Sequence, residues 1–179
     1  MSKTLFAVAL LIASPLGGWA ARATPSETHG VALSDTGTGA TMHARGTFVV
    51  KISPVEASAI SHEAGIGPMT IDKTFSGDME GTSKGEMLSA GTESSGAMAY
   101  VAMERVTGKL NGRSGSFLLM HNASMLKSDP ASGVMQITVV PQSGTDELAG
   151  ISGKLTIIIE GGKHSYDLEY ELPSAPGAR

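Results

Sequence analysis

Three side chains near the middle of this chain have the types that proton-transfer chemistry uses. They are Tyr100 and Glu104 in "AYVAMERVTG" and His121 in "SFLLMHNASM". In an extended strand alternate residues share a face, so Tyr100, Ala102, Glu104 and Val106 lie together, opposite Val101, Met103 and Arg105. Each face carries a charge, so alternation alone leaves open which one points inward. If Tyr100 and Glu104 point inward beside His121 of the next strand, the three form a polar cluster in apolar surroundings. A desolvated carboxylate beside an imidazole would then have a raised pKa and exchange protons with a ligand. The competing readings are a satisfied structural network, or a Glu104 that points outward and pairs with a lysine of a neighbouring strand.

Other chemical signals are thinner. The five histidines, at 30, 43, 62, 121 and 164, show no ligand spacing. A metal held by His43, His121 and His164 would need three strands to converge. "GDMEGTSKGEM" fails the phosphate-loop spacing, and Gly65-Ile66-Gly67 lacks the third glycine of a dinucleotide fingerprint. Gly112-Arg113-Ser114-Gly115 is one residue short of a nucleophile elbow. No metal and no cofactor is therefore expected. The methionines spread over most of the strands read as adaptable filling, a lining that also suits an irregular apolar ligand.

The elements that must hold these groups are short and alternating, with glycine-rich turns between them. Strands are expected at 42–52, 67–75, 77–89, 97–109, 113–125, 132–140, 151–160 and 163–172. The clearest is "KHSYDLEYEL", where His164, Tyr166, Leu168, Tyr170 and Leu172 share one face and the other is polar. That is a half-buried antiparallel strand. In the third strand, Met79, Gly81, Ser83, Gly85 and Met87 form a small, soft face that leaves room, opposite a charged one. Asn111-Gly112 and the glycines of "EGGKH" supply two-residue hairpin turns. One short helix is expected in "SPVEASAISHEAG", with Ser53 as cap, Pro54 at the first helical position and Gly65 at the end. A single turn in "SGTDELAG" has Ser143 or Thr145 as cap and Gly150 as stop. The class is all-β.

"LNGRSGSF" at 110–117 returns, altered, as "LAGISGKL" at 148–155. Each copy has an apolar residue two positions ahead of a glycine, a second glycine three residues on, and a strand entry at Phe117 or Leu155. Glycines at fixed offsets beside strand ends mark equivalent corners of a β structure. Aligning the copies sets Phe117 against Leu155, Leu119 against Ile157, and His121 against Ile159. If those sets point inward, His121 takes a lining position that its counterpart fills with hydrocarbon.

Composition narrows the partners. The chain has 179 residues, no cysteine, 4% aromatics and a formal net charge of -4 without a basic run. That argues against nucleic acid and against an anionic membrane surface. "MSKTLFAVALLIASPLGGWAARA" has an early lysine, a short apolar run and small residues before Ala20 and Ala23, the pattern of a secretory signal peptide. The expected organisation is a signal peptide at 1–23, a flexible leader at 24–41, one β domain at 42–173 and a disordered tail at 174–179. An exported location, periplasmic or secreted, follows, with no membrane contact after cleavage. The remaining chain, about 155 residues, suffices for one domain that buries about two-thirds of its unfolded-chain surface.

"MHARGTFVVKI", "MTIDKTFSGDMEGTSKGEM", "AYVAMERVTGKLNGRSGSFLLMH", "VVPQSGTDELAGISGKL" and "HSYDLEYEL" together resemble a bacterial domain family of unknown function, grouped with the allene oxide cyclase-like (dirigent-like) β-barrels. The resemblance covers 42–172 and implies an eight-stranded antiparallel barrel with a small-molecule-sized interior. It supplies no catalytic residues, and fold alone does not give function. Such a barrel is wide enough either to fill with side chains or to hold one small ligand. The leading expectation is an exported barrel that binds an apolar or amphipathic small molecule inside. Tyr100, Glu104 and His121 would form the polar end, with Phe117, Leu119, Tyr166 and Tyr170 as walls. The alternatives are an isomerase or cyclase in which Glu104 or His121 moves a proton, and an interaction module with a closed interior. A homo-oligomer stays open.

Overall fold

The computed structural model describes residues 40–173; the expected signal peptide, most of the leader and the tail lie outside them. Eight strands run in chain order: β1 (Met42–Pro54), β2 (Gly67–Gly77), β3 (Met79–Thr92), β4 (Ala97–Leu110), β5 (Arg113–Leu126), β6 (Asp129–Val139), β7 (Ser152–Glu160) and β8 (Lys163–Glu171). Each pairs antiparallel with the next, and β8 pairs with β1 from Met42↔Tyr170 to Phe48↔His164, which closes the barrel. Closure pairs both flanks of the other strands and leaves β6 and β7 joined at one register pair. The expected eight-stranded antiparallel barrel is therefore the fold.

The helix α1 (Ala59–Ala64) is shorter than expected. Ser53 and Pro54 continue β1, and the cap is Ser58, whose hydroxyl accepts from the Ser61 N–H at 3.1 Å. Gly65 ends the helix at φ 66°, as expected. A single 3-10 turn spans Asp146–Leu148. It belongs to a strap across the start of β5: Ser114 N–H donates to Glu147, Ser116 N–H to Thr145 and Leu118 N–H to Ser143, at 2.8–3.0 Å. The strap stands where β6 and β7 diverge, since those strands share one register pair, Thr138↔Lys154.

The repeated phrase has the same backbone shape in both copies. Gly112 and Gly150 have φ of 81° and 79°, and Gly115 and Gly153 have φ of 158° and 155°. Side chains rarely adopt such angles, so glycine is required at these corners. Leu110 and Leu148 are both 1% exposed beneath them. The copies differ at their second position. Asn111, at φ 48°, makes a two-residue hairpin turn with Gly112, whereas the second copy follows the strap.

Inward residues divide the barrel into two halves. Around the end where β1 starts and β2 finishes, a continuous cluster contains Met79, Leu110, Phe117, Leu148, Tyr166 and Tyr170. This sealed half is filled. Around the opposite end a smaller buried set, Ile71, Met87 and Ala102, is flanked by Met69, Tyr100 and Val50. There the inward positions Met69, Met98, Tyr100, Met125 and Ile159 are only half-buried. That is the open half.

Candidate functional site

Between the halves lie the four buried polar residues of the barrel, Lys73, Ser83, Glu104 and His121. β2 alternates Met69, Ile71, Lys73 and Phe75 toward the interior, so its lysine is carried inward among hydrocarbons. Lys73 pairs in register with Ser83 of β3, and Glu104 of β4 lies between Gly85 of β3 and Leu119 of β5. His121 is set across from Ala102. Two cross-strand neighbours of these polar groups are thus small, Gly85 and Ala102. A Cβ added at Gly85 would meet the Met103 carbonyl oxygen first and Glu104 Cβ at 2.6 Å, so glycine there lets the β3 and β4 backbones come close beside Glu104.

Glu104 is the hub. Its Oε1 accepts from Lys73 Nζ at 2.7 Å and lies 3.1 Å from His121 Nε2, while Oε2 accepts from Ser83 Oγ at 2.9 Å. Burial alone would push this carboxyl up. The His121 hydrogen bond and the nearby Lys73 ammonium outweigh it and hold the pKa at about 2, below the ordinary 4.5. The raised pKa expected from the sequence is therefore reversed: the His121 hydrogen bond is the largest lowering cause, and Lys73, absent from that expectation, adds to it. An ionised carboxylate only accepts, so Nε2 carries the proton of the His121 pair. Lys73 also stands over two aromatic rings, 5.2 Å from the centroid of Phe48 and 5.9 Å from that of Phe75. Attraction to ring faces adds to its electrostatic environment.

Of the residues singled out in the sequence, Glu104 and His121 come together. Tyr100 shares their face but stands toward the open end, half-buried, without a hydrogen bond to the cluster among the described residues. Burial and then the Glu104 charge push its phenol up, so it is neutral at ordinary pH. Leu119 is fully buried beside Glu104. Phe117, Tyr166 and Tyr170 belong to the sealed half, each 1% exposed. There the tyrosines act as pins: Met79 N–H donates to Tyr166 Oη at 2.9 Å, and Asn111 Nδ2 donates to Tyr170 Oη at 2.8 Å.

Sequence reasoning missed Lys73 and the bonding role of Ser83. The signal for Lys73 was present, since it interrupts the alternation Met69, Ile71, Phe75 on the apolar face. Among the described residues no three metal-ligating side chains come together, and every buried side-chain polar atom has a partner.

At the open end a concavity of about 420 Å³ crosses the wall at Leu88–Ala90, Ala99–Val101 and Asn122–Ser124, with Ile66 at its side. Most of its lining faces outward, with Leu88, Ala90, Ala99, Val101, Asn122 and Ser124, while Ser89, Tyr100 and Ala123 reach it from inward-facing positions.

One family model, described as "Protein of unknown function (DUF3224)", matches residues 44–170, which span the barrel. The chain belongs to DUF3224. A solved DUF3224 structure of unknown function, from Shewanella oneidensis MR-1, is 42% identical with a TM-score of 0.65. The alignment covers 73% of this chain and 97% of that one. No curated protein matches. The match reaches every strand of this DUF3224 barrel and takes in all four residues of its buried polar cluster.

Proposed function

We propose that this DUF3224 chain is an exported barrel that binds an apolar or amphipathic small molecule through its open half. One observation carries the reading. Inward apolar residues gather half-buried at the open end, Met69, Met98, Met125 and Ile159 among them, above a buried charged floor, whereas at the sealed end half-buried Met42 packs against a filled cluster. A barrel serving only as a scaffold gains by closing both ends, because each apolar side chain removed from water adds about 1.5–3 kcal/mol. The exposed large apolar residues Ile52, Ile60, Leu88, Val101, Leu126 and Ile158 also gather toward the open half, which suits the approach of an apolar molecule. Glu104, held ionised by its partners, fits recognition better than proton shuttling. Export rests on the leader pattern, and intact mass of the secreted protein checks it: mass lost up to Ala20 or Ala23 supports cleavage.

The test of binding is a fluorescence titration with an environment-sensitive anilinonaphthalene dye. Saturable binding to the wild-type chain is expected. Ala123→Trp, which places an indole in the mouth, should weaken it roughly tenfold, about 1.4 kcal/mol. Equal binding by a folded Ala123→Trp variant, or none by wild type, refutes the reading.

A further inference from the structure

The charged floor has a composition that selects among head groups. Lys73 and Glu104 neutralise each other at 2.7 Å, so the cluster presents no surplus charge from that pair to an incoming molecule. A carboxylate or phosphate head would bring a second anion next to Glu104, with one ammonium to serve both. An ammonium head would meet Lys73 in the same way. Like charges brought together in a poorly solvated site are strongly disfavoured. Charged heads are thus excluded by the cluster's own balance.

Pure hydrocarbon leaves the floor's bonding capacity unused. An ammonium has three donors, and Lys73 Nζ has one hydrogen-bond partner among the described residues, Glu104. Two N–H groups have no acceptor among those residues. Lys73 also keeps 6% of its side chain exposed whereas Glu104 has 0%, so the lysine is the member of the pair that solvent reaches. Once a ligand shuts water out, a donor left without an acceptor is costly, and a ligand oxygen that meets it avoids that cost.

Resting on the proposed interior binding, we infer that the ligand is an apolar molecule ending in an uncharged oxygen acceptor, a carbonyl or hydroxyl, which takes a hydrogen bond from Lys73. The chain of the molecule lies along Met69, Met98, Tyr100 and Met125, and its oxygen points to the floor. No covalent step is involved, and Lys73 stays paired with Glu104 throughout.

A matched series of ten-carbon probes tests this: decane, decan-1-ol, decan-2-one, decanoate and decylamine, each competing against the fluorescent dye at pH 7.5. The ketone or the alcohol should bind at least tenfold more tightly than decane, decanoate and decylamine. Lys73→Met should remove the preference for the ketone and alcohol over decane while decane binding persists. Tightest binding of decanoate or decylamine by wild type would overturn the inference, as would an unchanged ketone preference in folded Lys73→Met. Should that variant not fold, the wild-type order alone decides. If no probe displaces the dye and the dye itself does not bind, the interior reading fails and not merely the choice of head group.

Discussion

Replacing Glu104 by glutamine removes one negative charge from the centre of the barrel and nearly nothing else. The new amide would keep an oxygen for one donor, but the Lys73 ammonium, 6% exposed, would lose its counter-charge. Breaking a buried pair by removing one partner typically costs about 3–5 kcal/mol. Glu104→Gln should therefore lose about 3–5 kcal/mol, a large share of the roughly 5–15 kcal/mol that holds a domain together. Urea unfolding followed by circular dichroism measures it. Adding Lys73→Met should restore most of the stability, since a hydrocarbon of similar length replaces a charge that had lost its partner. A loss under about 1 kcal/mol for the single variant, or a double variant less stable than the single, would refute this account of the cluster.

Acid should act on the same carboxylate. Its folded pKa of about 2 lies below the ordinary 4.5, so its stabilisation is present above pH 4.5 and lost as pH falls toward 2. That contribution is about 3 kcal/mol, and an acid titration of urea midpoints should lose it in that window in wild type but not in Glu104→Gln. Gly85→Ala drives a methyl against the Met103 carbonyl oxygen and to 2.6 Å from Glu104 Cβ, and overpacking that must move backbone should cost about 3 kcal/mol or more in the same unfolding assay. Asn111→Ala forfeits both a φ of 48° that asparagine tolerates and the bond to Tyr170 Oη. A loss of about 1–2 kcal/mol is expected, and Tyr170→Phe, which keeps the turn, should lose less.

The fold was legible because its signals are local. The alternation of "KHSYDLEYEL" places Tyr166, Leu168 and Tyr170 inward, and Asn111-Gly112 makes the hairpin that its composition promises. Strand ends were less so. Ser53-Pro54 fits a helix start, but pairing of Pro54 with Met69 extends β1 through both residues. The candidate site was half legible. Glu104 and His121 are neighbours on one hairpin, so local reasoning brought them together. Lys73 reaches Glu104 from 31 positions away, across β3, and such contacts depend on barrel curvature that no short stretch encodes. The sealed half escaped for the same reason: Tyr166 and Tyr170 alternate like cavity walls, and only the strap and the opposite strands show that the space before them is filled.

The seam between β8 and β1 ties Arg45 to Asp167, 122 positions apart. A ring sealed by its first and final staves cannot assemble piecemeal during synthesis. Until β8 has emerged, β1 and β7 are each left with an unsatisfied flank, open to pairing with any other extended chain. Long-range closure is also intrinsically slow. The nascent polypeptide therefore passes through a window in which both flanks stand open, and a stop codon before Lys163 would leave it there for good.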